Sequence, residues 1–146
     1  MRPSPLSLLL AGLLCVGTAH AGEAAHVHAV GAWIRVLPGA LPAGGYVTLR
    51  NDGDQPAVLT GASSPAYGSV MLHQSSTETG MGRMRMVDRL EVPAHGQVAL
   101  SPGGYHLMLM DAAGLVQPGQ TVRVSLRFAD GSTLATDFLA KPANAL

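Results

Sequence analysis

The sequence predicts a single all-β domain, a sandwich or a barrel, on three observations. Short apolar alternations dominate the chain, and no stretch keeps the 3.6-residue periodicity of a helix. Turn signals built from Gly, Pro, Asn and Asp recur between these alternations. The 125 residues that follow a leader-like start, residues 22–146, are enough for one domain with its own core.

The first 21 residues have the pattern of a secretory signal peptide. A positive start at Arg2 precedes the apolar run Leu8–Val16, and Ala19 and Ala21 form a small-x-small cleavage signal. The run is too short to cross a bilayer, which needs about 20 apolar residues. We expect residues 1–21 to be removed, leaving an exported, periplasmic protein with no stable membrane anchor.

Composition excludes several classes of function. The one cysteine, Cys15, lies in the apolar run, and Leu14 before it is larger than a lipoprotein cleavage site favours. The mature chain is therefore expected to lack thiols, disulfides and thiolate metal sites. Nine basic and nine acidic residues balance without a basic patch, so no nucleic-acid partner is expected. No Gly-x-Ser-x-Gly elbow or Ser/His/Asp set stands out, and we expect no enzyme.

The alternations and turns divide the chain into nine expected strands. The second follows a Pro/Gly-rich loop, Leu37–Gly44, and the last two are joined by the tight-turn pair Asp130-Gly131. In order, the strands are His26–Arg35, Gly45–Asn51, Ala57–Gly61, Ser69–Ser75, Arg83–Arg89, Gln97–Leu100, Tyr105–Met110, Thr121–Phe128 and Thr133–Leu139.

The eighth expected strand has the clearest two-residue period. Apolar residues alternate with polar ones, which indicates an antiparallel strand with one buried and one wet face. The apolar set is Val122, Val124, Leu126 and Phe128, and the polar set is Arg123, Ser125 and Arg127.

Methionine is concentrated in one part of the chain. Six of the seven methionines fall between residues 71 and 110, together with His73 and His106. Residues two apart on a strand share a face, so His106 and Met108 point the same way. If the strands near 73, 84 and 106 are neighbours, one face gathers His73, Met84, His106 and Met108. Imidazole with soft thioether sulfur favours Cu(I).

Several residues near this set have simpler interpretations. Methionine on a strand more often fills gaps in a core than binds metal. We expect Met71 and Met110 in the core. Met86 is expected there too, but it shares a face with Met84 and is a candidate accessory ligand. If the whole methionine cluster were core, the protein would be a plain β-sandwich interaction module.

Other histidines and aromatic residues are expected to be less specific. His26 and His28 could form a weak Cu(II) or Zn accessory site, although an exposed strand edge is the simpler interpretation. His95 is expected in a turn and Trp33 in the core. Tyr105 should point to the face opposite His106 and serve packing.

The spacing His73-x10-Met84-x21-His106-x-Met108 resembles the motif of PCuAC, the periplasmic Cu(I) chaperones for the Cu(A) centre. Pro102–Met110 and the segment Gly45–Leu49 are also similar to that family, and the resemblance covers nearly all of the mature chain. His26, His28 and His95 depart from the family's pattern.

The resemblance implies a cupredoxin-like Greek-key β-sandwich or barrel. It also implies that His73, Met84, His106 and Met108 bind Cu(I). The expected function is delivery of copper to the apo Cu(A) domain of cytochrome c oxidase subunit II or to another periplasmic copper protein. General periplasmic copper buffering or resistance is the alternative.

Overall fold

The structure, a computed structural model, describes residues 22–77 and 82–146. These residues form ten β-strands and one short 3-10 turn, Glu23–His26. The strands are β1 (Val27–Arg35), β2 (Ala43–Asn51), β3 (Ala57–Ser64), β4 (Tyr67–Ser76), β5 (Arg83–Met86), β6 (Leu90–Val92), β7 (Gln97–Leu100), β8 (Tyr105–Ala112), β9 (Thr121–Phe128) and β10 (Thr133–Lys141).

Seven strands close into a barrel. Their order is β4-β8-β2-β1-β10-β9-β3, and β3 pairs back to β4. β1 and β10 are parallel, whereas the other pairings are antiparallel. The short strands extend the ends of longer ones: β5 pairs the end of β4, β6 pairs β3, and β7 pairs β2. The all-β, single-domain, cupredoxin-like fold expected from the sequence is confirmed.

The core fills the inside of the barrel. Alternate residues of each long strand point inward, and the largest fully buried side chains come from several different strands. These are Phe128, Phe138, Ile34, Leu49, Leu59, Leu107, Leu109, Leu126, Val92 and Val124. The expected alternation of β9 is confirmed, since Val122, Val124, Leu126 and Phe128 are all buried.

The strand predictions are correct in kind and differ mainly at their ends. The single strand expected over Arg83–Arg89 is wrong: β5 ends at Met86, and a separate β6 begins at Leu90. β6 is only three residues long, too short to show a period of its own. The loop expected over Leu37–Gly44 ends earlier, because β2 begins at Ala43.

Four residues expected in the core lie on the outer face of the barrel. Trp33, Met71 and Met110 are only half-buried, and Met86 is 63% exposed. Trp33, Met71 and Met110 follow the two-residue period outward, next to buried residues such as Leu72 and Leu109, whereas Met86 lies on β5, where all four residues are exposed. Tyr105 does pack against the core, as predicted.

Two stretches of the chain lie outside the described residues. The expected signal peptide, residues 1–21, and residues 78–81, which include Met81, belong to this group. Within residues 22–77 and 82–146, no helix has the length and apolar character needed to span a membrane.

Candidate metal site

The candidate ligands share the outer face of β5, β4 and β8. His73 on β4 lies directly opposite His106 on β8, and Met86 on β5 lies directly opposite His73. A row Met86–His73–His106 therefore runs across three strands. In antiparallel strands, side chains directly opposite each other have Cβ atoms about 4.5–5.5 Å apart and lie on one face.

A neighbouring row carries more thioethers. Met71 on β4 lies opposite Met108 on β8, and Met108 lies opposite Gly44 on β2. On the other side of the histidine row, Met84 lies opposite Ser75. The pairing thus brings the four predicted ligands to one side of the sheet. Met84 and Met108 lie on opposite sides of the histidine row, level with Ser75 and Met71 on β4.

The turn before β8 orients His106. Gly103 has φ +86°, a left-handed conformation that glycine tolerates, and Gly104 N–H donates to Ser101 O at 3.0 Å. The carbonyl of Gly104 accepts from Ser75 N–H at 3.0 Å and lies 3.1 Å from His106 Nδ1. Because a carbonyl can only accept, Nδ1 must carry the proton. Nε2 is then left with its lone pair, as in a metal-binding histidine held by an outer partner.

His73 has no such partner. Both of its ring nitrogens are buried, and neither has a hydrogen-bond partner among the described residues. Its ring is edge-on to the His106 ring, with 5.8 Å between centroids and 83° between planes. Burial, and secondarily the nearby His106, lowers the pKa of His73 below its ordinary value. A neutral imidazole whose two nitrogens are buried and lack partners among the described residues is suited to bind a metal ion.

A cleft of about 350 Å³ opens over these residues, lined in part by Met84, His106 and Met108. Three of the four predicted ligands therefore face the same space, and the fourth, His73, stands beside His106. The described residues contain no group of three or more His, Cys, Asp or Glu side chains placed to hold a metal ion. The residues paired with or next in register to the two imidazoles on this face include methionines.

Exposure of the four side chains increases from β8 to β5. His106 is 5% exposed, Met108 and His73 are half-buried, and Met84 is 53% exposed. β5 lies at the end of the strand order, and all four of its residues are exposed. An ion held by His106 and Met108 would therefore be reached from solvent across β5.

The other wall of the cleft comes from residues that the sequence did not single out as functional. Tyr46, Gly44 and Arg35 all line it. A Cβ atom on Gly44 would lie 2.6 Å from the Tyr46 hydroxyl oxygen, so the phenol ring occupies the space that a side chain would take. The adjacent glycines before Tyr46 in the sequence are the one signal that could have shown this close approach.

Arg35 is held in that wall by aromatic rings and a carbonyl. Its guanidinium lies 5.3 Å from the centroid of Trp33 and 5.5 Å from that of Tyr46. The two rings are themselves 4.7 Å apart, and the arginine donates to Ala145 O at 2.8 Å. This packing explains why Trp33 lies outside the core: it stacks on cations of the outer face.

The candidate accessory histidines lie elsewhere. His28 Nε2 is 2.7 Å from Asp52 Oδ2, and His26 Nδ1 is 3.9 Å from Asp52 Oδ1. His28 pairs with Arg50 on β2, six residues from Gly44, which places it roughly 20 Å from the cleft. The two rings flank the carboxylate of Asp52, and the hydrogen bond from His28 lowers the pKa of Asp52.

His95 lies in the expected turn. Its φ is +52°, and its Nε2 is 2.7 Å from Asp54 Oδ1. Glycine is the residue that most readily adopts such a left-handed φ in a turn.

Comparison with known proteins gives the family. The LpqE-like family model matches residues 27–139. A protein of Leifsonia xyli subsp. xyli that is named as a lipoprotein, Lxx21020, is 35% identical over 103 residues. The match covers 70% of this chain and 61% of that protein, so the chain spans less than two thirds of that relative.

Solved structures agree with this match. The copper-bound PCuAC domain from PmoF2 superposes with a TM-score of 0.67 at 24% identity, over 80% of this chain and 93% of that one, which shows a common fold. CuI-DR1885 from Deinococcus radiodurans has a TM-score of 0.62 at 38% identity, over 76% of this chain and 75% of that one. The expected relationship to PCuAC is confirmed, and the chain belongs to the LpqE-like family of PCuAC-type domains.

Proposed function

We propose that the protein is an exported, non-catalytic carrier of Cu(I), with His73, Met84, His106 and Met108 as its ligands. The observation that supports this most directly is His73, a half-buried residue whose two ring nitrogens are buried and have no hydrogen-bond partner among the described residues, with its ring beside His106. The 38% identity to CuI-DR1885, a protein whose name states bound Cu(I), supports the same metal.

The donor set suits a carrier. Two imidazoles and two thioethers are neutral, so the bound site keeps only the single charge of Cu(I). Thioethers do not titrate, and neither donor type forms a disulfide in an oxidising compartment. The buried His106 and the half-buried His73 hold the ion, while the exposed Met84 leaves one side open to another protein.

The alternative in which the methionine cluster forms the core is wrong for the described methionines. Met84 and Met86 are exposed, and Met71, Met108 and Met110 are half-buried on the outer face. In a purely structural module, the free-energy cost of the two buried, unpartnered nitrogens of His73 would not be offset by metal binding.

The ligand assignment is tested by titrating the reduced protein with Cu(I) against a competing chelator. We expect one ion per chain. His106→Ala and Met108→Ala should each weaken binding by more than about 100-fold, since loss of an outer-shell partner alone costs 10–100-fold. His28→Ala, which removes a histidine roughly 20 Å from the cleft, is the matched control. Unchanged affinity in both ligand variants would refute the assignment.

Delivery is a separate part of the proposal. We propose that the acceptor is the apo Cu(A) domain of cytochrome c oxidase subunit II, with general copper buffering as the alternative. Mixing the Cu(I)-loaded protein with that domain, separating the two and measuring copper in each distinguishes them. Transfer faster than spontaneous release supports delivery; transfer at the rate of spontaneous release supports buffering.

Export and processing form the last part. We propose cleavage after Ala21, which removes Cys15 and leaves no lipid anchor. The name of the Leifsonia relative points to lipoproteins, which are cut just before a cysteine. Intact-mass spectrometry of the exported protein decides: a chain beginning at Gly22 agrees with the proposal, and a lipid-bearing chain beginning at Cys15 contradicts it.

A further inference from the structure

Met86 has no role in the proposed ligand set, yet its position is unusual for a structural residue. It is 63% exposed, on a strand at the end of the strand order. Solvent-exposed methionine gains little from the hydrophobic effect, because most of its apolar surface stays in water. The core therefore does not explain why a thioether stands there.

The pairing places Met86 beside the metal-binding row. It lies directly opposite His73, whose other neighbour in the row is His106. Its Cβ atom is thus about 5 Å from that of His73, and the flexible, unbranched side chain can swing over the ring. Met84, the proposed ligand on the same strand, lies opposite Ser75 instead and is one step to the side.

Met84 and Met86 share one face of β5 and are the two most exposed donors of the cluster. The inner donors, His106 and Met108, are buried or half-buried. A protein that takes the ion must approach from the exposed side, where it meets both thioethers. A second thioether there can replace the first without the ion losing a soft donor.

We propose that Met86 is a transfer ligand, which binds Cu(I) transiently while the ion leaves the resting site. This inference rests on the proposed Cu(I)-carrier function. In the step, the bond from copper to Met84 sulfur breaks as a bond to Met86 sulfur forms. Copper remains Cu(I), no proton or electron moves, and the incoming protein's soft donor then replaces Met86. When the ligands exchange one at a time, the copper ion keeps a soft donor on its exposed side throughout.

The test compares Met86→Leu, which keeps the size and apolar character of the side chain, with Met84→Leu and with Met110→Leu. Met110 is the matched control, because it is a methionine on the same face but opposite Ser69, away from the histidine row. Two quantities are measured: the equilibrium affinity for Cu(I), and the rate at which excess bicinchoninate, a Cu(I) chelator, removes the ion.

We expect Met86→Leu to keep its affinity within about threefold and to release copper about tenfold more slowly, equivalent to about 1.4 kcal/mol in activation free energy. Met84→Leu should lose affinity, and Met110→Leu should resemble the parent protein in both measurements.

Three results would overturn the inference while leaving the carrier function intact. These are an unchanged release rate in Met86→Leu, a faster one, or a loss of affinity as large as that of Met84→Leu, which would make Met86 a resident ligand. Failure of the parent protein to bind Cu(I) would instead refute the proposed function itself.

Discussion

The two histidines of the site differ in their hydrogen bonding, and each difference has a local cause. Gly104 O fixes the tautomer of His106, because a carbonyl requires a proton on Nδ1. His73 is held only by packing, and its two nitrogens have no partner among the described residues. Leaving such groups unsatisfied costs free energy in the metal-free protein, and that cost is recovered when a ligand binds.

The state of His73 predicts a pH dependence of stability. Burial and His106 lower its pKa, so the folded protein takes up its proton only at lower pH than the unfolded chain does. Between the two pKa values the unfolded state binds more protons, and the metal-free protein therefore loses stability as pH falls below about 6.5. Urea unfolding at pH 7.5 and pH 5.0 should show a larger loss for the parent protein than for His73→Asn; equal losses would contradict this.

The lowered pKa of His73 also predicts how copper binding responds to acid. Protons compete with Cu(I) for the imidazole nitrogen, so affinity must fall once the rings protonate. Because His73 stays neutral to lower pH than an ordinary histidine, its share of this loss begins below about 6.5. Cu(I) competition at several pH values should give a shallower dependence in His73→Ala than in the parent protein, and a flat profile in the parent would argue against histidine ligation.

Gly44 predicts an effect of one methyl group on the cleft. Alanine would put a Cβ atom 2.6 Å from the Tyr46 hydroxyl oxygen, so the ring must shift away from its place beside Met108. We expect Gly44→Ala to lose about 1–3 kcal/mol of unfolding free energy, as overpacked positions do. Its Cu(I) affinity should drop about tenfold, as for a disturbed outer shell. Gly114→Ala, where nothing lies within 4 Å, is the control, and parent-like behaviour of Gly44→Ala would contradict the prediction.

At the scale of elements, β8 divides its residues between two tasks. Leu107 and Leu109 point into the barrel and are fully buried, whereas His106, Met108 and Met110 point outward. The strict two-residue period of a strand makes this division unavoidable. On this one strand, the inward leucines therefore stabilise the fold, and the outward His106 and Met108 are free to bind metal.

This division predicts opposite outcomes for neighbouring residues. Leu109→Ala should cost about 2–5 kcal/mol of unfolding free energy, because it empties a fully buried position. Met110→Ala should cost about 1 kcal/mol, since its half-buried side chain loses far less contact. Urea denaturation of both variants measures this, and a larger loss for Met110→Ala would place that side chain inside the barrel after all.

At the scale of the whole molecule, the core lies inside the barrel and the proposed ligands lie outside it. The seven paired strands and the buried side chains between them do not need the ion. The protein is therefore unlike a small metal-dependent domain, which unfolds when its metal is removed.

Two measurements follow from this arrangement. The metal-free protein should keep its β-sheet circular dichroism at 25 °C after chelation. Cu(I) at 100 times its Kd should add about 2.7 kcal/mol and raise Tm by roughly 10 °C, because a ligand of the folded state stabilises it by mass action. Met108→Ala should fold as well but gain far less on adding Cu(I). Unfolding on chelation would show that the site supports the fold.

Local sequence patterns predicted the fold class, most of the strands and the shared face of His106 and Met108. These depend on a two-residue period and on turn residues, which are local properties. The same period already put Met110 beside Met108; its assignment to the core followed the general behaviour of methionine and was wrong.

Only the tertiary structure decided which strands meet. The pairing of β5 and β8 with β4 sets Met86 and His106 on either side of His73, and the antiparallel pairing of β2 with β8 brings Gly44 and Tyr46 to the cleft. Such contacts join residues far apart in the chain. Their register comes from closing the barrel around one core, and no local pattern contains that information.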